Sequence, residues 1–139
     1  MKKIHFALIL AGILFGFSAV AEQSLIKQQS QGEVVFVSGG VGEDEQHAMQ
    51  AMRGDYNLNL LFSIQGSGEY LSDVKVQVAD STGNTVLESV SDGPMLFAKL
   101  KPGRYAITVD REGRVVHKKA TISGTKRTSL IFTWPQNEE

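Results

Sequence analysis

The stretch SDVKVQVADSTGNTVLESVSDGPMLFAKLKPGRYAITVDREG, residues 72–113, contains a clear alternation of apolar and polar residues and several turn signals. Val74, Val76 and Val78 alternate with polar or small residues, which is the period of a strand with one buried face. Turn-forming residues separate this strand from further β-prone runs, which lie at residues 85–90, 95–100 and 104–109. Short strands at near-regular spacing are typical of a β-sandwich.

The same pattern continues on both sides of this stretch. Upstream, residues 34–37 are β-prone, and residues 56–64 alternate as a half-buried strand does. Downstream, residues 115–122 and 128–134 are two more β-prone runs. The sequence therefore predicts an all-β fold, an antiparallel sandwich of seven or eight strands.

Between residues 34 and 134, residues 43–52 are the one stretch with helical character. Three acidic residues fall in the predicted first turn, where carboxylates interact favourably with the helix dipole. Met49 and Met52 share one face at helical spacing. We expect a short amino-terminal helix that packs against the sandwich.

The amino terminus has the order of a secretory signal. Lys2 and Lys3 precede an apolar run at residues 6–17, and small residues follow at 19–21. This run is shorter than the roughly 20 residues that span a bilayer. We predict a signal peptide at residues 1–21, cleaved after Ala21, and a periplasmic or secreted product without membrane insertion.

The composition excludes several classes of protein for the exported part of the chain. The chain has no cysteine, so disulfides, thiol chemistry and lipid attachment to cysteine are excluded. Its formal net charge of −1 gives no general attraction to nucleic acid. We predict a flexible polar arm at residues 22–33, one domain at 34–135 and a short tail at 136–139.

Residues 72–113 resemble the carboxypeptidase regulatory-like, or transthyretin-like, sandwich domains. The shared features are the opening valine strand, Gly83 in the following turn, the Asp92-Gly93 step and the turn LKPGRY at residues 100–105. The resemblance implies a fold and no particular reaction. With its acidic glycine-rich segment at residues 39–45 and with Trp134, the chain also resembles a narrower group of small exported bacterial proteins without an established role.

Transthyretin-like folds also include hydroxyisourate hydrolases. Their carboxy-terminal Tyr-Arg-Gly-Ser ending and paired histidines have no counterpart in residues 128–139. The residues therefore do not support that activity.

Five residues are the candidates for a binding surface: Glu43, Asp44, Glu45, Tyr70 and Trp134. The three acidic residues stand at the predicted helix start. Their charge opposes the phosphate binding that the neighbouring glycines would otherwise suggest. Tyr70 lies in a glycine-containing loop and Trp134 precedes a proline, so among the aromatic residues these two are the preferred candidates for exposure. The alternative for both is packing in the core, where aromatic residues supply much of the buried area.

Two alternatives involve histidine chemistry. His47 with Met49 and Met52 in residues 43–52 favours a periplasmic metal-handling protein, although helical spacing turns the methionines toward the core and His47 away from it. An unrecognised hydrolase is the other alternative. It lacks a nucleophile motif, and His117 has no acidic neighbour in sequence.

The main hypothesis is a non-catalytic binding or structural module that recognises an envelope protein, peptide or glycan. We expect no cofactor, no metal and no nucleic-acid partner. Addition of a partner's strand to an exposed sheet edge is the most economical mode of recognition for a sandwich.

Overall fold

The computed structural model describes residues 25–136, so the predicted signal peptide and residues 137–139 lie outside the described part. Within that part, no helix has the length and apolar character needed to cross a membrane. The elements are β1 (Gln29–Gln31), β2 (Val34–Gly39), α1 (Gly42–Met52), the 3-10 helix η1 (Arg53–Asp55), β3 (Leu58–Ile64), β4 (Lys75–Asp80), β5 (Thr85–Val90), β6 (Met95–Lys99), β7 (Gly103–Arg111), β8 (Arg114–Ile122) and β9 (Thr128–Trp134).

The strands form two sheets. One has the order β1-β2-β6-β3-β9 and the other β5-β4-β7-β8. The predicted all-β sandwich with one short helix is thus confirmed. Two details differ: the described residues contain nine strands, and β9 pairs with β3 in parallel. The strands β3 and β9 are far apart in sequence and no short turn connects them. The sequence therefore does not indicate whether they pair in parallel or antiparallel.

The main core lies between the two sheets. Alternate side chains of β4 and β7 point into it, in agreement with the predicted period of two, and they meet the inner face of the five-stranded sheet. The rings of Phe62 and Phe132 are 6.1 Å apart, and those of Phe62 and Trp134 are 6.4 Å apart. Aromatic pairs at these distances add to the free energy gained by burying their area.

A second, smaller core covers the outer face of the five-stranded sheet. Helix α1 packs there, and Met49 is fully buried. Its other members are Ile26, Val37, Tyr56, Met95 and Phe97. Strand β3 is therefore buried on both faces, including the polar residues Asn59 and Ser63, and the prediction that it is half-buried was wrong.

The predicted flexible arm is attached to the sandwich over its described residues. Ile26 is buried, and Gln29–Gln31 pairs with β2 as an edge strand. The Gln31 amide continues this attachment, because its Nε2 donates to the Glu88 carbonyl at 2.7 Å and its Oε1 accepts from the Glu88 amide at 2.9 Å. One side-chain amide thereby pairs with the backbone of β5 and joins the two sheets.

The opposite side of the sandwich is joined in a similar way. Lys118 Nζ on β8 donates to the Ile131 carbonyl on β9 at 2.9 Å, and Trp134 Nε1 donates to the Arg114 carbonyl at 3.0 Å. Thr128 Oγ1 donates to the Thr121 carbonyl at 3.3 Å. These contacts occupy backbone acceptors along β8 and β9 and place a lysine at the sheet edge, which discourages pairing with another strand.

The turns at residues 100–105 and 80–84 fit the predicted chemistry. Tyr105 re-enters the core, and its hydroxyl donates to the Lys101 carbonyl at 2.7 Å. Asp80 accepts from the side chain of Thr82 and from the backbone amides of Thr82 and Asn84, and these hydrogen bonds lower the pKa of the Asp80 carboxyl. Both turns are held by local contacts, as the sequence suggested.

Candidate binding groove

The predicted acidic site divides into a structural residue and two exposed ones. Glu45 Oε1 accepts hydrogen bonds from the amides of Gly40 and Val41 at 3.1 and 3.0 Å, so its carboxylate holds the turn that precedes α1. Glu43 and Asp44 lie exposed in the first turn of the helix. The three carboxylates therefore share a helix start, but they do not converge on a common point for a ligand.

The two aromatic candidates have opposite environments. Tyr70 is 46% exposed and lies beside Ser63 at the end of β3, as expected for a surface residue. Trp134 is only 1% exposed, so it is packed in the core, and its choice as an exposed binding candidate was wrong. The parallel pairing of β9 with β3 turns the Trp134 ring into the main core, where Phe62 contacts it.

The histidines and methionines lie in separate environments. His47 is exposed on α1, whereas Met49 is packed into the second core. His117 lies on the exposed face of β8, where its Nδ1 is 3.0 Å from Thr108 Oγ1. Within residues 25–136 no group of three potential His, Cys, Asp or Glu ligands comes together.

The structure shows another candidate site, a groove on the outer face of the five-stranded sheet. We call it the basic groove. Its cavity measures about 930 Å³, which is in the range of ligand sites. Its walls come from four parts of the chain: Gln28 and Val35, residues 54–57, Lys99, and residues 124–127.

The floor of the basic groove is positioned by the sheet register. Leu58 is opposite both Ala98 on β6 and Thr128 on β9, so Lys99 and Arg127 stand on either side of Asn57. The Asn57 side chain fixes this arrangement, because its Nδ2 donates to the Leu100 carbonyl at 2.8 Å and its Oδ1 accepts from the Leu100 amide at 2.9 Å.

Two further contacts shape the walls. Arg53 Nε donates to Asn59 Oδ1 at 3.0 Å and thereby holds η1 over β3. On the opposite wall, Ser123 Oγ accepts from the amides of Thr125 and Lys126, both at 3.1 Å, which folds the loop between β8 and β9 into a compact turn. The groove is therefore built by specific hydrogen bonds on both sides.

The charges that line the groove are mostly positive, and they form no ion pair within the described part of the chain. Lys99, Lys126 and Arg127 all line it and are exposed. The ion pairs among residues 25–136 are Lys101 with Glu33 and Arg111 with Glu112, so these three side chains are in neither pair. Among the described residues that line the groove, Asp55 is the one carboxylate.

Tyr56 provides a neutral polar group beside this charge. Its ring is buried against Phe97, and its hydroxyl donates to Gln28 Oε1 at 3.3 Å. Burial, and then the Asp55 carboxylate, raise the pKa of the Tyr56 hydroxyl. The hydroxyl therefore stays protonated and acts as a hydrogen-bond donor at the rim.

No known family model matches the chain, and no curated protein matches it. The sequence signal for the basic groove is confined to the pair Lys126-Arg127 in a turn. Lys99 is distant from this pair in sequence, and the pairing of β3 with both β6 and β9 brings the three residues together.

Proposed function

We propose that this chain is a non-catalytic, exported binding module that recognises an envelope protein, peptide or glycan through the basic groove. The observation that carries the proposal is the convergence of Lys99, Lys126 and Arg127 on one cavity without a partner among the described ion pairs. Unpaired charge in a concave site is available to a ligand, and a cleft concentrates its electrostatic field.

The environments of the histidines support the non-catalytic part of this proposal. General acid–base chemistry needs a histidine within hydrogen-bond reach of its partners. His117 contacts Thr108 on the open face of the other sheet, and His47 is exposed on α1. Neither histidine lines the basic groove.

The groove explains recognition better than strand addition at a sheet edge. The hydrogen bonds from Gln31 to β5, and from Lys118 to β9, occupy backbone groups that an added strand would use. The groove needs no backbone group of an edge strand. We therefore place the partner at the groove.

We also propose that the sandwich is a carboxypeptidase regulatory-like domain and that the protein is exported. The two-sheet sandwich and the Tyr105 turn support a carboxypeptidase regulatory-like domain. The order of residues 1–21 supports export.

Filling the groove tests this function. A Cβ at Gly54 meets no atom within 4 Å, and Gly54 is not among the glycines with positive φ, so Gly54→Trp is expected to place a large ring in the groove without straining the backbone. The full chain, with its own amino terminus and a carboxy-terminal tag, is used to capture partners from an envelope extract. We expect wild-type chain to retain a reproducible partner and Gly54→Trp to lose it.

Two variants serve as controls. Ala106→Trp adds the same ring at an exposed position on the four-stranded sheet and is expected to keep the partner. A triple variant with glutamine at Glu43 and Glu45 and asparagine at Asp44 tests the acidic helix start. If the triple variant loses the partner while Gly54→Trp retains it, the groove is not the binding surface.

A further inference from the structure

We propose that the basic groove binds an extended acidic peptide segment, with two carboxylates spaced along the segment. This inference rests on the proposed function and specifies the chemistry of its ligand. It depends on the positions of the cations, on the shape of the groove and on its aromatic content.

The backbone positions of the cations are spread across the groove. Lys99 on β6 and Arg127 next to β9 are separated by β3, and two strand spacings amount to about 10 Å. In a polyproline II segment, an extended conformation with three residues per turn and a rise of about 3.1 Å per residue, side chains three residues apart lie on the same face and about 9 Å apart. Two acidic residues at that spacing match the separation of Lys99 and Arg127 across the groove.

The groove is also longer than a small anion requires. A second cavity of about 720 Å³ shares Gln28, Asp55 and Tyr56 with the basic groove. Its other lining residues are mostly apolar, and they include Leu25, Val37 and Met52. A peptide that places carboxylates in the first cavity and an apolar side chain in the second fits both.

The aromatic content favours a peptide over a glycan. Sugar rings stack on exposed aromatic faces, and among the described lining residues of the two cavities Tyr56 is the one aromatic residue. Tyr56 is only 7% exposed. The groove therefore offers hydrogen bonds and positive charge, and it lacks an open ring for stacking.

Fluorescence anisotropy with synthetic peptides tests this assignment. The probe carries aspartate at every third position and one leucine, and its matched control carries asparagine instead of aspartate. We expect the full chain to bind the aspartate probe, to bind the asparagine peptide much more weakly, and to lose affinity as salt is raised. Removing both cations in Lys99→Gln/Arg127→Gln is expected to weaken binding about tenfold, since each exposed ion pair contributes modestly.

A charge-matched variant controls for net charge. Lys75→Gln/Lys119→Gln removes two exposed lysines from the four-stranded sheet and is expected to leave the affinity unchanged. Equal loss in both double variants would overturn the inference, because it would show attraction to overall charge. Binding of an oligouronate without binding of the aspartate probe would overturn it in favour of a glycan.

The two experiments distinguish a failure of the peptide assignment from a failure of the proposed function. If the aspartate probe does not bind but Gly54→Trp still abolishes capture of a native partner, the groove is a binding site for another ligand. If Gly54→Trp also leaves capture intact, the proposed function fails as well.

Discussion

Replacing Trp134 by alanine is expected to lower the free energy of unfolding by about 4 kcal/mol, as is typical of a buried tryptophan. The ring is 1% exposed and lies 6.4 Å from that of Phe62. The substitution leaves a cavity between the sheets, and it removes the hydrogen bond from Nε1 to the Arg114 carbonyl. Both losses act on the side of the sandwich where β8 and β9 meet.

Urea unfolding of the purified protein measures this loss. Trp134→Phe keeps an aromatic ring but removes the donor, so we expect an intermediate loss. Tyr70→Ala is the surface control, with an expected loss below about 1 kcal/mol because the Tyr70 side chain is half exposed. A small loss at Trp134 together with a loss of partner capture would contradict the buried position and restore Trp134 as a binding residue.

The second large effect is expected at Gly93. A Cβ at this position would lie 2.4 Å from both the carbonyl carbon and the carbonyl oxygen of Gly39. These are backbone atoms, so relief requires β2 to move away from the segment that leads into β6. We expect Gly93→Ala to lower the free energy of unfolding by about 3 kcal/mol, at the upper end of the range for overpacking.

The neighbouring contacts make this movement costly. Ser38 Oγ accepts from the Asp92 amide at 3.0 Å and is 3.3 Å from Asp92 Oδ2, so the two segments are tied where the clash occurs. Gly54→Ala is the matched control, because no atom lies within 4 Å of its Cβ and alanine reduces the entropy of the unfolded chain. We expect Gly54→Ala to be neutral or slightly stabilising. Equal destabilisation by both substitutions would contradict the close approach of Gly93 to Gly39.

The elements with regular periodicity were predictable from the sequence. Alternation of Val74, Val76 and Val78 predicted β4 and its buried face, and the structure confirms it. Alternation of apolar and polar residues did not predict the burial of β3 correctly. Its polar residues Asn59 and Ser63 predicted an exposed face, but both are buried, and α1 and Arg53 of η1 pack on that face.

The described part of the arm and the basic groove depend on long-range pairing. Gln31 gave no hydrophobic signal, yet its amide hydrogen bonds to Glu88 fix it between the sheets. Lys99 and Arg127 become neighbours of Asn57 only through the register of β3 with β6 and β9. Local propensity contains no information on such pairings, so sequence reasoning selected the acidic helix start and the aromatic residues instead.

Site-specific photo-crosslinking in the producing cell tests most directly whether the basic groove is the binding surface. A benzophenone side chain is placed at Thr125, in the groove, or at Ala106, on the exposed face of the four-stranded sheet. We expect one reproducible crosslinked partner from Thr125 and none from Ala106. A partner crosslinked from Ala106 and not from Thr125 would contradict it and move the binding surface to the other sheet.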